Sequence, residues 1–290
     1  MPKEQCFRFV VSKSSSFNEP LYSQYNNDVY KALVIKNYYP EDKSTITTIN
    51  PNINYIRSVA HQGYSLTGAV NYCKLEGYQN AKEHGFNYGE LDLRMTADNV
   101  LVCSHDNTFT SGGETITIST SNYYDIKDLD YHGGTIATFE EVLSLCKKIG
   151  LGIYIDHLFV LNNTGWQIMF ELIRKYQMQD NVVYLCNELQ TQVDKIMSFY
   201  YKSKIAFVTS STDLANILNL ITTNKTANNK FIIDVSYTNF TVASIQQLLG
   251  DIDTDIDVEV WTIDDYDTFN SYIPYVSGIT SNAYSIIDFQ

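Results

Sequence analysis

The sequence predicts a (β/α)8, or TIM, barrel behind an N-terminal extension, and two observations carry the prediction. Short apolar runs recur at residues 57–60, 88–93, 152–155, 182–186, 204–208, 230–235, 258–263 and 278–280. Between most of them lie segments whose apolar residues repeat with the period of a helix. Strands that alternate with helices along one stretch of chain form a parallel sheet, and eight such units close into a barrel. The rival arrangement, an open doubly wound sheet, places a Gly-rich phosphate loop after its first strand. None follows Ala60.

The elements follow in order. Residues 1–55 differ from the rest: 12–16 is polar, 22–30 is rich in Asn and Tyr, 34–39 reads as one strand, and 45–54 reads as a Thr/Asn/Pro linker. They form an expected extension or connector, with the barrel spanning 56–290. Within the barrel, Phe139, Val142, Leu143 and Cys146 share a helical face, as do Leu214, Ile217, Leu218 and Ile221. Leu189, Val193, Ile196 and Met197 form another such stripe, and Ile245, Leu248 and Leu249 a shorter one. A chain of 290 residues with 44% hydrophobic content can bury one large core.

Composition narrows the function. A formal net charge of −13 argues against nucleic-acid partners, and an anionic substrate would need a local cation. No window approaches the ~18 apolar residues that span a bilayer. The first residues mix Lys3, Glu4 and Arg8 with apolar ones and show no secretory core. Cys6, Cys73, Cys103, Cys146 and Cys186 are scattered, odd in number and without a CxxC, so they read as reduced core thiols. The 23 tyrosines read as compositional bias.

The chemistry concentrates in Glu90-Leu91-Asp92 and Ser104-His105-Asp106. Side chains two apart on a strand share a face. Two carboxylates on one face repel and lose solvation unless a cation joins them, and a hard divalent ion bound by oxygens is the simplest solution. His105, at the end of the next extended run, adds a proton carrier. Barrels gather functional groups at the C-terminal ends of their strands. Those ends deliver His61, His105, Glu90, Asp92, Asp156 and Trp261 towards one mouth.

From residue 57 onward the chain resembles the glycerophosphodiester phosphodiesterase family. That family's pattern is a His-Arg pair, Glu-x-Asp and His-Asp; here the matching residues are His61-Gln62, Glu90-Leu91-Asp92 and His105-Asp106. The stretch ELDLRMTADNVLVCSHD from Glu90 to Asp106, the helix start TFEEVL at 138–143, and VWTID (260–264) and GITSN (278–282) near the end are similar to family wording as well. The resemblance implies a barrel of the phospholipase-C-like phosphodiesterase type with a bound divalent cation, Ca2+ or Mg2+. Glu90, Asp92 and Asp156 match its metal ligands, the last being a Glu in most relatives. His61 and His105 match its acid–base pair. The implied substrate is a small or polymeric glycerophosphodiester, such as a deacylated phospholipid in lipid metabolism or a wall polymer.

Departures stand out. Gln62 replaces the family's arginine, Leu158 its lysine, and the turn around Asn71-Tyr72-Cys73-Lys74 its Pro-Glu-Asn-Thr. Each lost charge-assisted contact is worth roughly 1.5–3 kcal/mol. Gln62 can still donate hydrogen bonds, Arg94 and Lys74 are candidate replacement cations, and Trp261 suits an apolar wall for the substrate. Strand alternation turns His157 away from Asp156, into the layer between strand and helix. His84 and His132 read as solvated. The lost cations leave a second reading open: a barrel that binds a wall polymer or glycan without cleaving it, in a cell-surface or phage-tail setting. The cytoplasm is the other setting, and the state of assembly stays open.

Overall fold

The computed structural model describes residues 56–65, 71–187 and 189–283. The expected extension, 1–55, lies outside them. The strands are β1 (Arg57–Ala60), β2 (Tyr88–Met95), β3 (Leu101–Cys103), β4 (Thr108–Ser111), β5 (Glu114–Thr117), β6 (Gly152–Asp156), β7 (Val182–Cys186), β8 (Lys204–Thr209), β9 (Lys230–Ser236), β10 (Asp257–Trp261) and β11 (Gly278–Ser281). Eight of them, β1, β2 and β6 to β11, pair in parallel, and β1 bonds both β11 and β2, so the sheet closes. β3 adds antiparallel to the outer half of β2. The TIM barrel expected from the alternation is the fold.

The helices are α1 (Leu75–Glu83), α2 (Tyr123–Ile126), α3 (Phe139–Ile149), α4 (Asn163–Lys175), α5 (Gln190–Phe199), α6 (Ala215–Asn224), α7 (Val242–Asp251) and α8 (Tyr266–Tyr272). α3 illustrates why they form. Thr138 and Glu141 make a reciprocal capping box, and Gly150 ends the helix in the left-handed conformation at φ 67°. Its stripe of Phe139, Val142, Leu143 and Cys146 is fully buried; a buried Phe or Leu contributes about 1.5–3 kcal/mol.

One strand end and one insertion change the sequence reading most. The run at 258–263 is strand only to Trp261, because the Ile263 N–H crosses to the Thr280 carbonyl of the neighbouring strand. An insertion between β3 and α3, with the β4–β5 hairpin and its own core of Phe109, Ile118, Ile126, Tyr131 and Ile136, was not foreseen. The four described cysteines are free and buried, and no described helix is long and apolar enough to cross a membrane.

Strands buried on both faces read as continuous apolar runs, which is how these appeared in the sequence. Their outer faces pack on the helices in the main core. Val59, Tyr88, Tyr154, Val183, Leu185, Ala206 and Ile232, from alternate positions, fill the lumen. Below them, at the N-terminal ends of the strands, Arg57 ion-pairs with Asp257 at 2.6 Å and with Glu259. Lys230 reaches Asp257 at 2.8 Å, and the Tyr154 hydroxyl donates to Glu259 at 2.8 Å. Gly278 makes room for this network: a Cβ there would stand 2.6 Å from the Glu259 Cδ.

Candidate active site

The opposite end of the lumen is acidic. Parallel register sets Asp92 of β2 directly beside Asp156 of β6, and Glu90 lies two residues lower on the same face of β2. One carboxylate oxygen from each of the three lies within 4.8 Å of the others. Among the described residues no lysine or arginine ion-pairs with any of them. Burial, and then the charge of Asp156, pushes Glu90 up to about 8, against the pull of a backbone hydrogen bond. Burial, Glu90 and Asp156 hold Asp92 well above the usual carboxylate range. Burial also raises Asp156, with the His157 N–H and both His105 and His61 opposing. Oxygen donors that raise one another's pKa are a set that a divalent cation relieves, so the residues present fit such an ion.

The two expected histidines stand beside this trio. His61 follows β1, and its Nδ1 lies 2.9 Å from the Asn282 Oδ1. Asn282 in turn donates to both oxygens of Asp264, through Nδ2 at 2.8 Å and through its backbone N–H at 2.7 Å. A carboxylate only accepts, so Asp264 orients the amide with its oxygen towards His61. His61 therefore carries a hydrogen on Nδ1 and presents Nε2. His105 follows β3, half exposed, with Nδ1 2.9 Å from Asp106 Oδ1; it too presents Nε2.

Gln62 is buried and left-handed at φ 51°, and its backbone N–H donates to Glu90 Oε2 at 2.8 Å. Replacement of the family's arginine thus removes a charge and leaves a main-chain bond that fixes a candidate ligand. The Gln62 Oε1 is buried without a hydrogen-bond partner. Leu158, at the family's lysine position, packs into the core. Arg94 donates from Nε to the His105 carbonyl at 3.1 Å, so its guanidinium braces the histidine's main chain. Lys74 binds the His132 carbonyl at 3.1 Å and pairs with Glu76 at 3.3 Å, which ties it to the rim. Trp261 is half-buried at the end of β10, its indole N–H donating to the Asp234 carbonyl at 3.3 Å. His132 is exposed and stacks on Tyr72 with ring centroids 3.8 Å apart.

His157 departs from expectation. It does not follow strand alternation away from the mouth; its Nδ1 sits 3.4 Å from Asp92 Oδ1, and the side chain is only 13% exposed. The reason is local. β6 ends at Asp156, and His157 takes the left-handed conformation at φ 58°, which ends the alternation. Asn282, Asp264 and the lumen carboxyl Asp234 were also missed as site residues. The GITSN and VWTID segments held the first two, but their pairing depends on the β10–β11 register.

The sequence profile of the glycerophosphoryl diester phosphodiesterase family matches residues 61–275. Among solved structures, a glycerophosphodiester phosphodiesterase from Parabacteroides distasonis superposes with a TM-score of 0.63 at 21% identity, over 78% of this chain and 92% of that one. A phosphodiesterase from Oleispira antarctica, in complex with its product sn-glycerol-3-phosphate, gives 0.66 at 18% identity, over 80% and 96%. One from Thermotoga maritima gives 0.59 at 20% identity, over 79% and 95%. At these identities the superpositions establish the fold. No curated protein matches the sequence. The profile covers most of the barrel, including His61, Glu90, Asp92, His105 and Asp156, and the chain belongs to the glycerophosphoryl diester phosphodiesterase family, a family of phosphoric diester hydrolases.

Proposed function

We propose that this protein hydrolyses a glycerophosphodiester with the aid of a divalent cation held by Glu90, Asp92 and Asp156, and that His61 and His105 are its acid–base pair. The carrying observation is the trio of sequestered carboxylates that no lysine or arginine among the described residues neutralises, flanked by two imidazoles that each present Nε2. Bound there, a divalent cation would neutralise non-bridging phosphate oxygens and so lower the charge barrier to attack.

The chain's own residues do the rest. His61, fixed in one tautomer by Asn282, removes a proton through Nε2 from the attacking water, whose oxygen forms the new P–O bond. His105, at the exposed rim, protonates the departing alkoxide where the alcohol leaves to solvent. The Gln62 N–H holds Glu90 in position, and Arg94 holds the main chain of His105. Trp261 offers an apolar face to the carbon skeleton of the substrate. The Oleispira antarctica relative holds sn-glycerol-3-phosphate, and we assign the same class of product, a glycerol phosphate, to this chain. A binder that does not cleave has no use for two oriented proton carriers, so that reading is not favoured.

The test is release of glycerol phosphate from glycerophosphodiesters with calcium, magnesium or chelator present. Turnover that needs the cation and falls about a hundredfold or more in His61→Ala supports the proposal. Equal turnover in chelator, or an unimpaired His61→Ala, overturns it.

A further inference from the structure

His157 has no place in the chemistry so far, yet it is built into the mouth. Its left-handed backbone swings the ring back over Asp92. The ring packs edge-on against Phe159 at 5.2 Å and lies 5.0 Å from the His105 ring. Its Nδ1 is buried without a hydrogen-bond partner. Asp92, His105 and His157 each present a ligand atom within 4.8 Å of one another, and Asp92 also belongs to the carboxylate trio. The Asp92 Oδ1 to His157 Nδ1 separation is 3.4 Å. Two donors with bonds of ~2.1 Å to one ion stand roughly 3.0–3.4 Å apart for octahedral to tetrahedral angles. The two atoms have the spacing of ligands to a shared ion.

We propose that His157 contributes a nitrogen ligand to the cation centre, so that this protein binds a first-row divalent ion such as manganese, cobalt or zinc in preference to magnesium or calcium. The inference rests on the reading that the carboxylate trio holds a cation. Carboxylates alone suit magnesium and calcium; an imidazole added to them favours the transition ions. His157 is the ligand, and His105 is left free for proton transfer. His105 has its Nδ1 on Asp106 and its side chain 55% exposed, whereas His157 is 13% exposed with its Nδ1 turned to Asp92.

Metal-free protein, with histidine labelled with nitrogen-15, is titrated calorimetrically with manganese and magnesium, and the manganese form is examined by pulsed electron paramagnetic resonance. The expected result is histidine-nitrogen coupling to manganese in the wild type and in His105→Ala, and none in His157→Ala. His157→Ala and His157→Gln lose about tenfold or more in manganese affinity and about threefold or less in magnesium affinity. An ion bound by the wild type without histidine-nitrogen coupling overturns this inference and leaves the trio intact. Coupling that persists in His157→Ala, or equal losses for both ions, does the same. A wild type that binds neither ion overturns the trio reading as well. The wild-type and His105→Ala spectra decide the matter even if the His157 variants fold poorly.

Discussion

The two ends of the lumen are built from the same residue types and differ in one respect. At the floor, Asp257 and Glu259 share Arg57, Lys230 and the Tyr154 hydroxyl. Burial opposes the charge of Arg57, yet Glu259 and Asp257 hold its guanidinium well above the ordinary value. At the mouth, Glu90, Asp92 and Asp156 have no lysine or arginine partner among the described residues. Between the two, Asp234 is buried with Oδ1 unpaired, and burial followed by Glu259 and Asp156 raises it well above the carboxylate range. The floor is finished as folded; the mouth is left with a deficit of positive charge that a ligand can fill. A carboxylate at the floor serves stability, and one at the mouth costs stability, as the proposed cation site requires.

The sharpest way to break this comparison is to neutralise one carboxylate at each end. Asp92→Asn is expected to cut kcat/KM by about a thousandfold or more, because it removes an anionic ligand from the proposed cation site. The same change should raise the melting temperature of metal-free protein at neutral pH, since a buried, raised carboxyl is replaced by a neutral amide. Glu259→Gln should do the reverse. It leaves Arg57 under-compensated and is expected to lower stability by about 3–5 kcal/mol. Chelator-treated protein melted alongside kinetic assays checks both, and a destabilising Asp92→Asn would erase the distinction. Gly278→Ala attacks the floor by shape alone. Its Cβ would meet Glu259 at 2.6 Å, and the expected loss is about 1–3 kcal/mol.

pH sharpens the contrast. In the metal-free fold Glu90 keeps its proton up to about 8, whereas the unfolded chain releases it near the ordinary 4.5. Its folded value is the higher one. The folded state therefore binds more protons between these values, and its contribution to stability is full below 4.5 and lost as pH rises through about 8. Melting temperatures in chelator should fall across that window. A saturating cation should flatten the fall, because it competes with the proton for the same oxygen, and its stabilising effect should grow with pH. A cation effect that shrinks as pH rises would contradict the reading of Glu90 as a ligand.

Much of this was legible in the sequence, for identifiable reasons. Apolar runs and helical stripes mark strands and helices because burial acts on residues near in sequence, so Phe139 to Cys146 could be placed with no tertiary knowledge. Glu90 and Asp92 share a face by strand periodicity. What escaped depends on register or on a single dihedral. The Asn282–Asp264 bonds on which His61 rests follow from β10–β11 pairing, which no local pattern encodes. The Arg57 network was hidden because Arg57 opens what reads as an apolar strand. His157 was misplaced because alternation holds only while the strand lasts, and one left-handed residue reverses the side chain's direction.

The smallest expected effect lies in the same register-dependent class. Asp264 never touches the lumen trio; it acts through Asn282, whose amide it orients. In Asp264→Asn the new side chain both donates and accepts, so the Asn282 amide can turn and present its nitrogen to His61. A nitrogen donor there favours the ring with its hydrogen on Nε2, which cannot take a proton from a nucleophile. The expected cost is about tenfold in kcat with KM little changed, because the proposed cation site and Trp261 are untouched. Asn282→Ala, which removes the contact altogether, should cost about ten- to a hundredfold. The limb of the pH–rate profile that reports the base should move in both variants and stay put in a surface control such as Asp267→Asn. Were kcat and that limb unchanged in Asp264→Asn, the Asp264–Asn282–His61 chain would be architecture like the floor network, and the functional end of the barrel would stop at His61.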